Sequence, residues 1–316
     1  MKVLVTGADG FVGGWLVRRL LEAGHRVVGA VRVGCGPSRG LSEAERRAVE
    51  WQEFDLSATD SVDQLGQLAP DVVVHLAALA SGADARRDPG EAWAVNAAGT
   101  ARLAETMGRL RQDGAADPLF VLASTGEVYG HGQGRPSVET DPLEPVSPYA
   151  ASKVGAEIAV AEVSRRMGLR TIVVRAFPHT GPGQSDKYAI PALAGRIKLA
   201  ARIGAPVIKT GNLEPVRDLL DVRDVVAAYQ ALIEQGQVGS TYNLASGRGV
   251  SLAAVVTGLM DLAGHRVILE ADPNLSRPSD LQYLVGNSGR LVADTGWKPS
   301  IPLEQTLKDL LDAQAD

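Results

Sequence analysis

The sequence predicts an α/β fold, a doubly wound parallel sheet with a smaller, discontinuous C-terminal part, on three observations. Short β-branched runs alternate with stretches of helical spacing through the first 175 residues, runs such as Val72-Val73-Val74 are apolar without interruption, and a glycine-rich turn joins the first run to the first helix. Strands that are apolar on both sides need helices over both faces of the sheet.

Lys2 to Val5 reads as the first strand and Thr6-Gly7-Ala8-Asp9-Gly10 as the turn after it. Val12, Leu16 and Leu20, with Val17 and Leu21, then fall at helical spacing until Gly24 stops them. Further strands are expected at Arg26 to Val31, Val49 to Phe54, Asp71 to Leu76, Leu119 to Ala123 and Thr171 to Val174, with helices near Thr59 to Leu68, near Glu91 to Leu110 and from Tyr149. After Arg175 the regularity falls away, and Pro191, Pro206 and Pro215 punctuate the next stretch of chain. A helix from Val222 to Gln235 and a strand at Thr241 to Leu244 return to the sheet, and Leu252 to Ala263 and Leu303 to Leu311 are amphipathic helices. The expected sheet domain is therefore 1–175 with 221–246, and the smaller domain 176–220 with 247–316.

A chain of 316 residues, 45% hydrophobic and 22% charged, can build one large core and a second small one, which excludes disordered and fibrous classes. Cys35 is the single cysteine, so no intramolecular disulfide forms, and the first residues carry no charged and apolar leader, so a cytoplasmic location is expected. No apolar run approaches the roughly 20 residues that span a bilayer, and the net charge of −5 argues against nucleic acid. The five histidines show no metal-ligand spacing, so no metal site is expected.

Gly7-Ala8-Asp9-Gly10-Phe11-Val12-Gly13 is a G-x-x-G-x-x-G loop between a strand and a helix. Tight turns also use glycine, but in this setting the glycines let backbone N–H groups approach a pyrophosphate at the positive end of the helix, as in a Rossmann dinucleotide unit, with Gly7, Gly10, Phe11, Val12 and Gly13 expected at the cofactor. Strand two ends in Arg32, where a protein that prefers NAD has an acid for the ribose hydroxyls. A guanidinium suits a 2′-phosphate, so NADP(H) is expected over NAD(H), unless the arginine is merely solvated and holds no ligand. Asp55 and Leu56 after strand three, and Leu76, Ala77 and Ala78 after strand four, are placed beside the cofactor.

Tyr149 and Lys153 stand one helical turn apart, so the phenol and ammonium share a face. The same spacing also serves a packed ring and a surface charge. A cation about 4 Å from the phenol contributes about 4 kcal/mol at an effective dielectric near 20, which predicts a phenol lowered from its free pKa of about 10. Tyr149 then passes a proton while a nicotinamide passes hydride, Lys153 holds the ribose, and Thr125 hydrogen-bonds the reacting oxygen.

Thr6-Gly7-x-x-Gly10-x-x-Gly13, His75-Leu76-Ala77-Ala78, Asn96, Ser124-Thr125-x-x-x-Tyr129-Gly130 and Tyr149-x-x-x-Lys153 together resemble the extended short-chain dehydrogenase/reductases that act on nucleotide sugars, over essentially the whole chain. The resemblance implies a triad of Thr125, Tyr149 and Lys153, with Asn96 ordering the strands around the cofactor, Phe177 and His179 beside it, and a homodimer. Arg217 and Arg277, which spacing alone leaves open to structural pairing with Asp218, Asp221 or Asp280, fall on the nucleotide diphosphate, with Lys209 and His179 nearby. Within the family, the His179 to Gln184 loop, the Gly211 to Asp218 stretch and Gly296-Trp297-Lys298-Pro299 look most like members that reduce a GDP-linked 4-keto-6-deoxyhexose. Pro178 departs from the asparagine usual before this histidine, which puts the sugar and the nucleobase in doubt. Glu127, two residues after Thr125, keeps a 4,6-dehydratase open, in which it would remove a proton from the sugar. A 4-epimerase, which needs little beyond the same triad, and an NADP-sensing binding protein without turnover also stay open.

Overall fold

The computed structural model describes residues 1–38, 40–275 and 281–314. Its main sheet has seven strands: β1 (Lys2–Thr6), β2 (Arg26–Arg32), β3 (Glu50–Phe54), β4 (Val72–His75), β5 (Leu119–Thr125), β6 (Arg170–Ala176) and a last one at Thr241–Leu244. They lie in the order Thr241–Leu244, β6, β5, β4, β1, β2, β3, and every neighbouring pair is parallel. The chain builds outward from β1 through β2 to β3, then crosses back to β4 and builds the other way. The two halves diverge between β1 and β4, and ligands of such sheets bind at the carboxyl ends of the strands at that point.

Alternation along the strands divides the core in two. Val3, Val5, Val72 and Val74 point to the face covered by α1 (Phe11–Glu22) and the helix Val222–Gln235. Leu4, Val73, Phe120 and Leu122 point to the face covered by the helices Thr59–Gly66, Thr100–Gln112 and Pro148–Met167. Both sides of each central strand are thus buried, which is why the strands read as continuous apolar runs. A third cluster, with Leu193, Ile197, Val256, Leu259 and Leu310, lies outside the sheet and joins the helices Ala189–Ile203, Leu252–Ala263 and Leu303–Ala313. No helix among the described residues is long and apolar enough to cross a membrane.

Two elements differ from expectation. The segment after Arg175, where loops are expected to dominate, holds the 15-residue helix Ala189–Ile203. Pro191 lies in its first turn, where a missing N–H breaks no helical hydrogen bond, so the proline does not interrupt it. The single helix expected near Glu91 to Leu110 is a helical run over 89–112 whose middle, Ala94–Gly99, is a π-turn between Pro89–Trp93 and Thr100–Gln112. Helix propensity does not distinguish the two windings, and such insertions collect at functional sites.

The helix Pro148–Met167 is capped by Ser147, whose hydroxyl accepts the Ala150 N–H at 3.1 Å, and ends at Gly168 in the left-handed region. A buried polar cluster seats it on the sheet. Glu157 receives Arg175 of β6 at 2.8 Å and the Ser124 hydroxyl of β5, and Arg175 also reaches the Tyr129 hydroxyl at 2.9 Å. The Tyr129 hydroxyl donates in turn to Asn243 Oδ1 at 2.7 Å. With both ion-pair side chains under a tenth exposed, Arg175→Leu leaves a buried carboxylate uncompensated. We expect that variant to lose about 3–5 kcal/mol of unfolding free energy in urea titration, and Arg175→Leu with Glu157→Leu to recover part of it, since Lys153 then loses the carboxylate one turn away. An equal loss in the double variant would show that the pair does not govern the seating.

Candidate active site

The glycine loop follows β1 at the divergence of the sheet. Gly7 has φ of 71°, in the left-handed region, and its N–H is held by the Ala30 carbonyl at 2.9 Å. A Cβ on Gly13 would collide with the Gly7 carbonyl oxygen, and one on Gly10 would stand 3.1 Å from the same atom. α1 begins at Phe11 with no side-chain cap and no acid in its first turn. The N–H groups of Phe11, Val12 and Gly13 are therefore open to an outside acceptor, and the helix end favours an anion. This loop fits a dinucleotide pyrophosphate, which Phe11, Val12 and Gly13 would hold.

Arg32 ends β2 exposed, and its charge is held by its hydrogen bond to the Cys35 sulfur at 3.7 Å and, more weakly, by Asp9 of the glycine loop. Asp55 stands exposed after β3 and accepts the Ser57 N–H at 2.8 Å, while Leu56 packs under Gly99. Leu76, Ala77 and Ala78 follow β4, with Ala77 crowding Gly7 so closely that a Cβ there would meet its nitrogen at 2.9 Å. Across the loop, the His179 ring lies nearly parallel to Phe11, with centroids 6.3 Å apart, and its Nδ1 lies 3.0 Å from the Phe177 carbonyl. Burial lowers the pKa of His179, so it stays neutral. Phe177 itself is buried, stacked on Tyr129 beneath Gly126.

Thr125 closes β5, and its hydroxyl accepts the Glu127 N–H at 3.2 Å and bears on the Tyr149 phenol. Tyr149 keeps some surface at the cleft while its hydroxyl lies deep among protein atoms. The lowering of this phenol expected from the spacing does not occur. Burial pushes it well up, the Glu127 charge adds to the rise, and the Thr125 hydrogen bond opposes it only in part. Lys153, 4% exposed, is itself lowered to about 8 by burial, with Glu157 one turn on pulling the other way. In the protein alone, loss of water and the Glu127 charge outweigh the Thr125 hydroxyl, so the phenol holds its proton.

Asn96 sits in the π-turn and spends its amide inside the protein. Its Oδ1 accepts the Leu79 N–H at 2.7 Å, and its Nδ2 reaches the Leu79 carbonyl at 3.2 Å and the Ser152 hydroxyl at 2.9 Å. On the other side of the cleft, Arg217 donates to the Leu281 carbonyl at 2.6 Å. Asp218 and Asp221, offered by the sequence as partners for it, are engaged elsewhere: Asp218 by Ser246, Gly247 and Gly286, and Asp221 by Arg223 and Thr306. Lys209 is exposed and faces Asp272 at 3.8 Å. Arg277 and Asp280 lie outside the described residues. Sequence reasoning missed the Arg175–Glu157 support beneath Lys153, although the spacing of Lys153 and Glu157 was a signal for it.

The profile of the NAD dependent epimerase/dehydratase family matches residues 3–245. The GDP-6-deoxy-D-mannose reductase of Pseudomonas aeruginosa is 32% identical over 98% of this chain and 96% of its own length. A solved structure of RMD from Pseudomonas aeruginosa complexed with NADPH superposes with a TM-score of 0.83 at 31% identity, over 99% of this chain and 98% of the other. A UDP-glucose 4-epimerase from Thermotoga maritima with UDP-glucose superposes at 0.88 with 27% identity, over 99% and 98%. With the glycine loop, Thr125, Tyr149 and Lys153 set around one cleft, the chain belongs to the NAD dependent epimerase/dehydratase family, enzymes of the extended short-chain dehydrogenase/reductase type.

Proposed function

We propose that this chain reduces the 4-keto group of a GDP-linked 4-keto-6-deoxyhexose, with NADPH as reductant. The observation that carries the reading is a deeply set phenol beside Thr125 at the end of β5, one helical turn from a buried lysine. Bound over the glycine loop, NADPH supplies the hydride. The Thr125 hydroxyl holds the substrate carbonyl oxygen, Tyr149 gives that oxygen its proton, and Lys153 stabilises the phenolate left behind. The product is an alcohol, and Tyr149 regains its proton from solvent.

The similarity to a GDP-6-deoxy-D-mannose reductase over nearly the full chain supports the substrate class. Arg217 is the described guanidinium assigned to the diphosphate, with Arg277 as its partner and Lys209 and His179 at the margin. Asn96 is assigned to holding the cofactor wall rather than to contacting the cofactor. Phe177 contributes through its backbone, and Asp55 and Leu56 line the adenine end. The same reading takes the chain as a homodimer that buries Trp93 and Ile158, which stand 47% and 64% exposed on either side of the small residues Ala97, Ala101, Gly155 and Ala159.

A 4,6-dehydratase is the second reading, favoured by Glu127 beside Tyr149. Elimination of water needs a base for the proton and an acid for the departing hydroxyl. Among the described residues Glu127 is the carboxylate whose charge bears on the phenol, and at the preceding position, Gly126, a Cβ would meet the Phe177 ring at 2.8 Å.

Supplied with the 4-keto sugar nucleotide, the enzyme is expected to consume one NADPH for each alcohol formed, followed by cofactor absorbance. Conversion of GDP-mannose to a 4-keto product with no net cofactor change, and no NADPH drawn by the keto sugar, would make Glu127 the working base and overturn the assignment. Because Arg32 stands where an acid would exclude a phosphate, NADPH should bind more tightly than NADH, and Arg32→Ala should weaken NADPH about tenfold while leaving NADH unchanged. Equal affinities in the parent enzyme would refute the preference. Lys153 is charged below about pH 8, so cofactor binding that uses its charge holds on the acid side and weakens as pH rises through that value. Titration of NADPH affinity should show this alkaline limb, and Lys153→Met should lack it.

A further inference from the structure

The divergence of the sheet brings together buried polar groups that take no part in the proposed reaction. Thr6 on β1 and His75 on β4 are direct neighbours in the parallel ladder, and both are buried. Thr6 Oγ1 lies 2.7 Å from His75 Nδ1, and His75 Nε2 lies 3.0 Å from Thr100 Oγ1, in the helix after the π-turn.

Two outer contacts fix every proton in this set. Thr100 Oγ1 stands 2.6 Å from the Asn96 carbonyl oxygen, which has no hydrogen to give, so the Thr100 proton goes there. Toward the ring Thr100 therefore accepts, and the imidazole proton is on Nε2. At the other end Thr6 Oγ1 accepts the Ala77 N–H at 3.2 Å and turns its own proton to the bare Nδ1. Burial, helped by the nearby Lys153 charge, pushes the His75 pKa down to about 3, which agrees with a neutral ring. The bonds run in one direction, from Ala77 through Thr6, His75 and Thr100 to Asn96.

Asn96 carries the set onward. Its amide grips the Leu79 backbone on one side and the Ser152 hydroxyl on the other, and Ser152 donates to the Tyr149 carbonyl at 2.7 Å. The wall beside the glycine loop, Ala77 to Leu79, is tied in this way to the helix that presents Tyr149 and Lys153.

We propose that His75 is a positioning residue, a neutral imidazole protonated on Nε2 whose two hydrogen bonds set, through Thr100 and Asn96, the register between the Ala77–Leu79 wall and the Tyr149–Lys153 face. It acts only through these neighbours. The proposal rests on the reading of Tyr149 and Lys153 as the reacting pair.

Thr100→Val keeps the side-chain shape and cuts the set between His75 and Asn96, and His75→Leu removes the ring. Both are expected to lower kcat on the order of 10- to 100-fold with the KM for NADPH little changed, the loss that a small misplacement of reacting groups produces. His75→Gln, whose amide can still donate to Thr100, should recover most of what His75→Leu loses. A readout that needs no sugar substrate is the pH at which NADPH binding weakens, which Lys153's surroundings set. It should move in Thr100→Val and His75→Leu and return in His75→Gln. Nitrogen NMR of the parent enzyme should find Nε2 protonated and Nδ1 bare across neutral pH. Lower unfolding temperatures with kcat, alkaline limb and rescue pattern all unmoved would reduce His75 to a structural residue and overturn the proposal, as would a proton on Nδ1. Full turnover in Tyr149→Phe would instead sink the reaction reading, leaving the ring's proton state to the NMR result.

Discussion

A buried ammonium at Lys153 is the constraint around which the site is built. Taking a charge out of water is unfavourable unless opposite charge and hydrogen bonds stand close by. Glu157, one turn further along the same helix, supplies the charge, but a carboxylate there is itself buried and needs Arg175 and Ser124 from the two strands beneath. Arg175 in turn needs Tyr129, and Tyr129 needs Asn243 on the last strand. One buried charge thus fixes polar residues on three adjacent strands and orients the helix that carries it.

The sheet order explains why the two halves of the site meet. β1 and β4 are neighbours in space though 69 residues separate Lys2 from Asp71, whose carboxylate takes the Lys2 N–H at 2.6 Å. Each strand leads into a connection on a different face, so a cleft opens at their carboxyl ends, with glycines on one side and Ala77–Ala78 on the other. Small residues are required on both sides: at Gly7 a Cβ would strike the Ala77 backbone. The glycine-loop end of the cleft is made from backbone and the Tyr149–Lys153 end from side chains, and the shared strands hold the two in register.

Much of this is legible in the sequence because it is local. The helix Val222–Gln235, the strand Thr241–Leu244 and the helix Leu252–Ala263 have the bounds that periodicity gives them, and Tyr149 and Lys153 share a face as their spacing requires. What periodicity does not supply depends on contacts between distant residues. Pro191 reads as punctuation because its place in a first turn is known only once the helix is. The winding of 94–99 follows no residue pattern. The phenol shifts against the direction its spacing predicts because spacing reveals a neighbouring cation but neither the depth of burial nor the Glu127 charge. His75 stands in a sequence motif without a role of its own, since its partners Thr6 and Thr100 come from other elements.

Similarity of fold cannot separate a reductase from an epimerase here, since the UDP-glucose 4-epimerase from Thermotoga maritima superposes as closely as the NADPH-bound RMD. What separates the chemistries is where the proton rests when substrate arrives. An enzyme that begins by removing hydride from an alcohol needs a phenolate ready to take the hydroxyl proton, and a carboxylate beside that phenol works against it. An enzyme that begins by giving hydride to a ketone creates an alkoxide, a far stronger base than any phenolate, so a phenol with a raised pKa still delivers its proton downhill. Glu127 and the burial of the Tyr149 hydroxyl both hold the proton in place, and in the proposed reaction Lys153 stabilises the phenolate once it has left. The reducing direction proposed for this chain rests on these electrostatics, a physical reason that overall similarity does not contain.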